Sequence, residues 1–268
     1  MSPLTACIEG IGVLGPGLPD WMATARVLTG VAPWEAAATV LPPPAGLPSA
    51  ERRRTGAVVR LALAVGFEAA GRAGVNPAHL PAVFTSSGGD GQNCHEICET
   101  LASPERQLSP TRFHNSVHNA PAGYWGIATG ATAAASSLCA YDGSFAAGLI
   151  EALCQVAVEG TRVLLIAYDS SYPEPMRSVR PIPDAFGVAL LLAPTATAAG
   201  AALARLELGW SDAAADHLTD PALERLRASI PAARSLPLLA QLARATAGRV
   251  LIDYLDAARI AVEVTPCR

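Results

Sequence analysis

The chain has 268 residues, of which 51% are hydrophobic and 16% charged, so it is long and apolar enough to bury a full core. Its formal net charge is −4, and all 19 basic residues are arginines. This mild acidity argues against a nucleic-acid partner, which needs a basic surface. The absence of lysine excludes Schiff-base chemistry and a Walker-type phosphate clamp.

Cysteine use and the uncharged segments indicate the compartment. The six cysteines are too few and too scattered for a secreted disulfide scaffold, so we interpret them as reduced thiols and expect a cytoplasmic protein. The N-terminus has no basic region of the signal-peptide type. An uncharged run from Ala185 to Ala204 contains Pro194 and Gly200, which favours two strands over a membrane span. We therefore predict no membrane span. We also predict no cofactor.

The predicted elements alternate between strands and helices, which is typical of an α/β layered fold. In chain order they are a strand at 4–14, a helix at 21–28, an irregular connection at 33–48, a helix from 58 to about 74, a strand at 82–87, helices at 93–101 and 142–159, strands at 162–167, 187–192 and 204–208, helices at 222–230 and 236–245, and closing strands at 250–255 and 259–264. Small residues line the helix at 58–74, so it should lie close to the sheet. Because no repeat or linker divides the chain, we expect one domain over residues 1–268.

The segment from residue 113 to residue 141 lacks Asp, Glu, Lys and Arg, and we take it as the functional centre. Its first part is rich in aromatic and hydrogen-bonding side chains, namely Phe113, His114, Asn115, Ser116, His118, Asn119, Tyr124 and Trp125. If the segment is buried, these polar groups need partners, because an unpaired buried amide or hydroxyl costs about 1–3 kcal/mol.

A literal metal-site spacing begins just before this uncharged segment. Cys94 and Cys98, followed by His114 and His118, fit a loose Cys2His2 zinc template. However, Asn119-Ala120-Pro121 follows the second histidine where a finger would continue its basic helix. Two thiols four residues apart are also ordinary on a helix that packs against a core. We predict no metal, and we expect His114–His118 to form an interface strand or loop.

Cys139 is a weak candidate nucleophile. If a strand turns there into the helix that begins near Asp142, the helix N-terminus lowers the thiol pKa. His118 is a conceivable base, whereas Asp142 opposes thiolate formation. The alternative is that Cys139 is a small buried hydrophobic residue. Upstream, Gly88-Gly89-Asp90-Gly91 precedes a helix, and because no lysine follows and the aspartate repels anions, we predict a tight turn rather than a phosphate site.

Several motifs, in this order, resemble the β-ketoacyl synthase superfamily. They are Ile8-Glu9-Gly10-Ile11-Gly12-Val13 as first strand and glycine turn, Arg52-Arg53-Arg54 leading into Val59–Ala64, Thr85-Ser86-Ser87-Gly88-Gly89, and Leu108-Ser109-Pro110 through Asn119–Gly123. The resemblance covers residues 4–208 and leaves 209–268 as diverged C-terminal helices and strands. The run Phe113–Asn119 is similar to the short chain-length-factor subfamily of aryl polyene pathways.

This resemblance implies a thiolase-like fold, with one ketosynthase-type half and a truncated, diverged C-terminal part. It implies a heterodimer with a catalytic ketosynthase, served by an acyl carrier protein that brings acyl and malonyl thioesters. The resemblance also implies that the interface and tunnel residues are those named above for the uncharged segment. Alignment on Gly143 and Gly148 places Ala140 at the nucleophile position, whereas alignment on the upstream turn places Cys139 there.

The departures from the family pattern favour a non-catalytic subunit. Active ketosynthases carry two histidines in their C-terminal half and a lysine near the site, whereas this chain has no histidine after His217 and no lysine. The expected function is a chain-length factor that shapes the acyl or polyene tunnel of its partner. Two alternatives remain, a self-sufficient Cys-dependent acyltransferase or hydrolase that uses Cys139 with His118, and a zinc-binding or purely structural interaction protein.

Overall fold

The computed structural model describes residues 3–195 and 202–267, to which the following bounds refer. The strands are β1 (Leu4–Leu14), β2 (Ala82–Thr85), β3 (Ala135–Leu138), β4 (Val163–Asp169), β5 (Phe186–Ala193), β6 (Ala204–Ser211), β7 (Gly248–Leu255) and β8 (Ala258–Pro266). The helices are α1 (Trp21–Leu28), α2 (Ser49–Arg52), α3 (Ala57–Arg72), α4 (Gly91–Ala102), α5 (Pro110–His114), α6 (Ala120–Thr129), α7 (Ser144–Glu159), α8 (Met176–Val179), α9 (Pro221–Ser229) and α10 (Leu236–Arg244). Short 3-10 helices lie at Pro77–His79, Tyr141–Gly143 and Pro231–Ser235.

All of these strands form one mixed sheet in the order β3-β2-β4-β5-β1-β6-β8-β7. Strand β2 pairs in parallel with β3 and β4, and β5 runs antiparallel to β4 and β1. The carboxyl ends of β1, β2, β3 and β4 therefore meet at one edge of the sheet. The predicted closing strand pair is confirmed as the antiparallel β7–β8 hairpin, which joins the sheet through β6.

Helices cover both faces of the sheet, which confirms the predicted α/β layered fold. On one face, α1, α7 and α10 bury residues such as Leu28, Leu149 and Leu239. On the other face, α3 and α6 bury residues such as Leu61 and Trp125. Every residue of β4 and β5 is buried, as expected for continuous apolar strands that lie between two helical layers.

Helix α3 packs directly on β1, as its small residues predicted. A Cβ atom added to Gly12 would lie 2.1 Å from the Val65 carbonyl oxygen, and one added to Gly10 would lie 2.1 Å from the Ala69 carbonyl oxygen. The expectation of a glycine turn after the first strand is wrong for these two residues, because both lie inside β1. Because they lack a Cβ atom, these two glycines let the backbone of α3 lie close to β1.

The uncharged segment contains elements that the sequence did not predict. Helices α5 and α6 and strand β3 all lie within or next to it, and the predicted helix at 142–159 begins as a 3-10 turn at Tyr141–Gly143. Strands β5 and β6 confirm the two strands predicted in the second uncharged run, whose Gly200 lies outside the described residues. Across residues 3–195 and 202–267, no helix is long and apolar enough to cross a bilayer.

Candidate functional site

The uncharged segment, residues 113–141, divides into an exposed and a buried part. Phe113 is 67% exposed, and His114, Ser116 and Asn119 are also exposed, so the idea of a wholly buried stretch is wrong. Asn115 is the exception in this part. Its side-chain amide donates to the Arg54 carbonyl oxygen at 2.6 Å and its Oδ1 accepts from the Tyr124 hydroxyl at 3.0 Å. The segment satisfies this buried amide internally.

Tyr124 and Trp125 belong to the core of this chain, at 1% and 2% exposure. The Trp125 ring lies 5.1 Å from the Phe67 ring and 6.4 Å from the Phe84 ring, between centroids. Tyr124 and Trp125 lie one helical turn after the buried residues Ala120 and Pro121, so all four lie on the buried face of α6. They hold α6 against α3.

Four large apolar side chains of the segment point into solvent. Phe113, Val117, Ile127 and Tyr141 are each at least 50% exposed. Strand β3, which lies in the same segment, has only β2 as a neighbour within the described sheet. An unpaired strand edge beside exposed apolar groups is a surface that favours association with another chain.

Cys139 lies directly after β3, at the strand-to-helix connection that its candidacy required. Its thiol is exposed, so the alternative of a small buried hydrophobic residue is wrong. The Sγ atom donates to the Ser87 carbonyl oxygen at 3.2 Å. This bond gives the thiol a carbonyl oxygen, rather than a base, as its partner.

The connection from β3 to α7 is tightly pinned. The Ala140 amide donates to the Ser144 hydroxyl at 3.0 Å, and that hydroxyl donates to the Tyr141 carbonyl oxygen at 2.7 Å. Tyr141 has a φ of 49°, in the left-handed region that side-chain-bearing residues rarely adopt. The neighbouring bonds therefore hold a strained backbone at the point where Cys139 and Ala140 lie.

His118 reaches the same region without meeting the thiol. Its Nε2 lies 3.3 Å from the Ser86 carbonyl oxygen, next to the carbonyl that Cys139 contacts. Among the described residues no hydrogen bond joins His118 to Cys139. His118 and Asn119 instead border an open pocket of about 530 Å³ together with residues of α6 and β3.

The loop after β2 is anchored by a carboxylate that the sequence analysis missed. Asp169 Oδ1 accepts from the Ser87 amide at 2.9 Å and the Ser87 hydroxyl at 2.6 Å, and its Oδ2 accepts from the Ala232 amide at 2.8 Å. Burial raises the pKa of Asp169 to about 6, although these hydrogen bonds act to lower it. The available signal was an aspartate two residues after the apolar strand predicted at 162–167.

The predicted tight turn at Gly88–Gly91 has a packing reason. Tyr172 covers it so closely that a Cβ atom on Gly88 would lie 2.0 Å from the Tyr172 hydroxyl. Asp90, the acidic residue of the turn, caps α4 by accepting from the Asn93 amide at 3.0 Å. The turn therefore positions α4.

The four residues that fit the zinc template, Cys94, Cys98, His114 and His118, lie in different surroundings. Cys94 and Cys98 are exposed on α4. His114 ends α5 and packs edge-on against Tyr124, so the expectation of a strand or loop at His114 is wrong. Pro110 begins that short helix, since proline is favoured in the first turn. Within residues 3–195 and 202–267, no three His, Cys, Asp or Glu side chains form a metal-sized group. Absence of a metal stays a prediction, which elemental analysis for zinc tests.

Comparison with protein families gives one match, and it covers most of the chain. Residues 21–249 match the family described as beta-ketoacyl synthase, N-terminal domain. None of the curated proteins matches this chain.

Solved structures share the fold along nearly the whole length. A chain of the ketosynthase ApeO in complex with its chain length factor ApeC from Xenorhabdus doucetiae has 23% identity and a TM-score of 0.73, with 97% of this chain and 99% of that chain covered. The ishigamide ketosynthase/chain length factor has 14% identity and a TM-score of 0.72, with 98% and 100% covered. The AntDE:AntF complex, a type II polyketide synthase acyl-carrier protein with its ketosynthase, has 9% identity and a TM-score of 0.76, with both chains fully covered. At these identities the likeness shows a shared thiolase-like fold.

Proposed function

Because this chain belongs to the β-ketoacyl synthase N-terminal domain family, we propose that it is a chain-length factor without catalytic activity of its own. It pairs with a catalytic β-ketoacyl-ACP synthase and shapes the tunnel that receives the growing acyl or polyene chain. An acyl carrier protein brings the acyl and malonyl thioesters to this complex. The similar structures support the proposal, since two of them are described as ketosynthases with chain length factors.

The observation that carries the pairing is the exposed half of the uncharged segment. Its free β3 edge and its exposed apolar side chains combine main-chain hydrogen-bonding groups with apolar area. Obligate interfaces are large and apolar, and we expect this one to bury at least about 2,000 Å² in total. His114, Ser116, His118 and Asn119 then contribute hydrogen bonds across the interface, and Phe113 contributes apolar contact.

The tunnel role assigns different tasks to the aromatic residues. Phe113 is free to form part of a wall against an apolar chain, because it is exposed at the end of α5. Tyr124 supports α5 from behind, since its ring packs edge-on against His114 and its hydroxyl donates to Asn115. Trp125 is buried and fixes the position of α6. The segment thus presents an exposed aromatic side chain, Phe113, beside buried aromatic residues that fix its helices.

The absence of catalysis rests on the surroundings of Cys139. Its thiol donates to a carbonyl oxygen, and the described residues provide it with no histidine partner. The chain also lacks lysine. A second candidate function, a Cys-dependent acyltransferase or hydrolase, is favoured by one observation, which is that Cys139 and His118 contact the adjacent carbonyls of Ser87 and Ser86.

Co-purification with a ketosynthase tests the proposed pairing. We expect a 1:1 heterodimer by light scattering, and we expect Val117→Arg and Ile127→Arg to abolish it because a charge in an apolar interface is costly to desolvate. Val158→Arg is the matched control, since Val158 is 80% exposed at the end of α7, outside the segment. A stable soluble monomer that does not bind the ketosynthase contradicts the pairing. A heterodimer that both segment variants leave intact contradicts the proposed pairing surface.

A further inference from the structure

A pocket of about 780 Å³ lies between α3 and the irregular connection at 33–48. Helix α3 lines it with Arg60, Ala64, Phe67, Glu68 and Arg72, whose spacing of three or four positions places them along one face of the helix. The connection contributes residues between 35 and 45, and the turn after β1 contributes residues between 15 and 20. Among the described residues, the lining includes none from the uncharged segment 113–141, so this pocket is separate from the proposed pairing surface.

Hydrogen bonds fix the connection beside this face of α3. The Thr39 amide donates to Asp184 Oδ2 at 3.0 Å. The Arg60 Nε donates to the Pro42 carbonyl oxygen at 3.1 Å. The three prolines at 42–44 restrict the backbone further, because the proline ring fixes φ. The pocket is therefore formed before a ligand arrives, which reduces the entropy that is lost on binding.

Most of the side chains that line the pocket are apolar. The larger ones are Val13, Leu18, Val40 and Phe67, and prolines and alanines of the connection complete the surface. Val40 is 81% exposed, so packing within the chain does not cover it. A ligand with an apolar chain would gain free energy from each CH2 group that it buries here.

The charged groups of the pocket make it slightly acidic. They are Asp20, Glu35 and Glu68 against Arg60 and Arg72, which leave a formal charge of −1. Glu68 is already neutralised, because its Oε1 accepts from Arg72 Nε at 2.9 Å. Asp20 uses only Oδ1 to cap α1, and Glu35 is exposed with no ion-pair partner among residues 3–195 and 202–267. The carboxylates of Asp20 and Glu35 are therefore available to a cation.

We propose that this pocket binds an ammonium ion that carries an apolar chain. The ammonium group lies near the carboxylates of Asp20 and Glu35, and its single positive charge balances the formal charge of the pocket. The ring of Phe67 adds to this attraction, because a cation is favoured over the face of an aromatic ring. The apolar chain lies against Leu18 and Val40. The site does not rest on the proposed pairing, so it can be tested on this chain without a ketosynthase.

Calorimetric titration of the full chain with octyltrimethylammonium, below its micelle concentration, tests the proposal. Octanol and octyl sulfate carry the same chain with a neutral and an anionic head group. We expect saturable binding of the ammonium ligand, about fivefold weaker binding of octanol and the weakest binding of octyl sulfate, because the three ligands differ in the charge of the head group. Sodium chloride should reduce these differences, since salt screens exposed charges.

Variants of the lining residues locate the binding. Glu35→Gln should weaken octyltrimethylammonium binding about threefold and leave octanol binding unchanged. Adding Asp20→Asn should bring the loss to about tenfold, and asparagine keeps the cap on α1. Ala64→Leu narrows the pocket and should weaken the binding of both ligands. Glu105→Gln is the matched control, since Glu105 is exposed and does not line the pocket.

Three results would overturn the proposal. One is the absence of saturable octyltrimethylammonium binding. Another is octanol binding as tightly as the ammonium ligand, which would leave a purely apolar pocket. The third is equal octyltrimethylammonium affinity in the Asp20→Asn, Glu35→Gln double variant, in Glu105→Gln and in the unaltered chain, which would place the ligand elsewhere. Glu35→Gln keeps the test valid if Ala64→Leu misfolds, because Glu35 has no ion-pair partner to lose.

Discussion

The carboxylate of Asp169 accepts a hydrogen bond from the backbone amide of Ala232 at 2.8 Å, and this bond ties the end of β4 to the 3-10 helix before α10. The other carboxylate oxygen holds Ser87, which follows β2. One buried group therefore joins three segments at the sheet edge where Cys139 also lies.

This buried carboxyl makes stability depend on pH. Its pKa is about 6 in the folded chain and 3.8 ordinarily, so the folded state holds the proton more tightly. Its contribution to the free energy of unfolding is therefore fully present below about pH 4 and is lost as the pH rises through about 6. The difference corresponds to about 3 kcal/mol. Urea unfolding between pH 4 and pH 8 measures it.

Asp169→Asn is the comparison for that pH profile. The amide keeps an oxygen acceptor for Ser87, but its NH2 group faces the Ala232 amide, so one hydrogen bond is lost. We expect an offset of about 1–3 kcal/mol at low pH and a flatter profile. Parallel profiles for the two proteins would show that Asp169 does not titrate in this range.

A second prediction concerns two glycines of α3. A Cβ atom on Gly66 would lie 2.7 Å from the Trp125 ring, whereas one on Gly71 would meet nothing within 4 Å. We expect Gly66→Ala to lower the free energy of unfolding by about 1–3 kcal/mol through overpacking. Gly71→Ala is the control and should raise it by about 0.5–1 kcal/mol, because alanine favours the helix. Chemical denaturation that ranks the two variants equally would contradict this packing.

A third prediction concerns Cys139. In a complex reconstituted with a ketosynthase, Cys139→Ala should leave product formation nearly unchanged. The reason is that the Cys139 thiol donates a hydrogen bond to a carbonyl oxygen and has no basic side chain as its partner among the described residues. Mutation of the partner's nucleophile should abolish product formation. Mass spectrometry checks the same point, since acylated Cys139 together with lost turnover in Cys139→Ala would establish the acyltransferase alternative.

The fourth prediction separates the aromatic residues of the uncharged segment. Phe113→Ala should change the free energy of unfolding by less than about 0.5 kcal/mol, since Phe113 is exposed, and should lengthen the products if it lines the tunnel. Trp125→Ala and Tyr124→Ala should each cost about 3–5 kcal/mol, because both side chains are buried. The readout is the product length distribution of a complex that remains assembled. An unaltered distribution in every assembled variant would reduce the segment to a pairing surface.

Local patterns in the sequence were enough to predict most elements. The continuous apolar strands β4 and β5 were predicted within two residues of their bounds, and α7 ends at Glu159 as predicted. The order of motifs also indicated the β-ketoacyl synthase superfamily, which the family match confirms. These features depend on residues that are close in the sequence, through the spacing of apolar side chains and the preference of residues such as glycine for particular backbone conformations.

Only the tertiary structure decided how distant segments meet. Strand β3 has the weakly apolar sequence Ala135-Ser136-Ser137-Leu138, so pairing with β2, rather than its own pattern, makes it a strand. Asp169 accepts a hydrogen bond from Ala232, which lies 63 residues further along the chain. Asp142 accepts hydrogen bonds from Arg180 and Arg234, which lie in two other segments. The inward direction of Trp125 likewise follows from the face of α6 that meets α3. Such contacts depend on the packing of the whole sheet, which a linear pattern does not record.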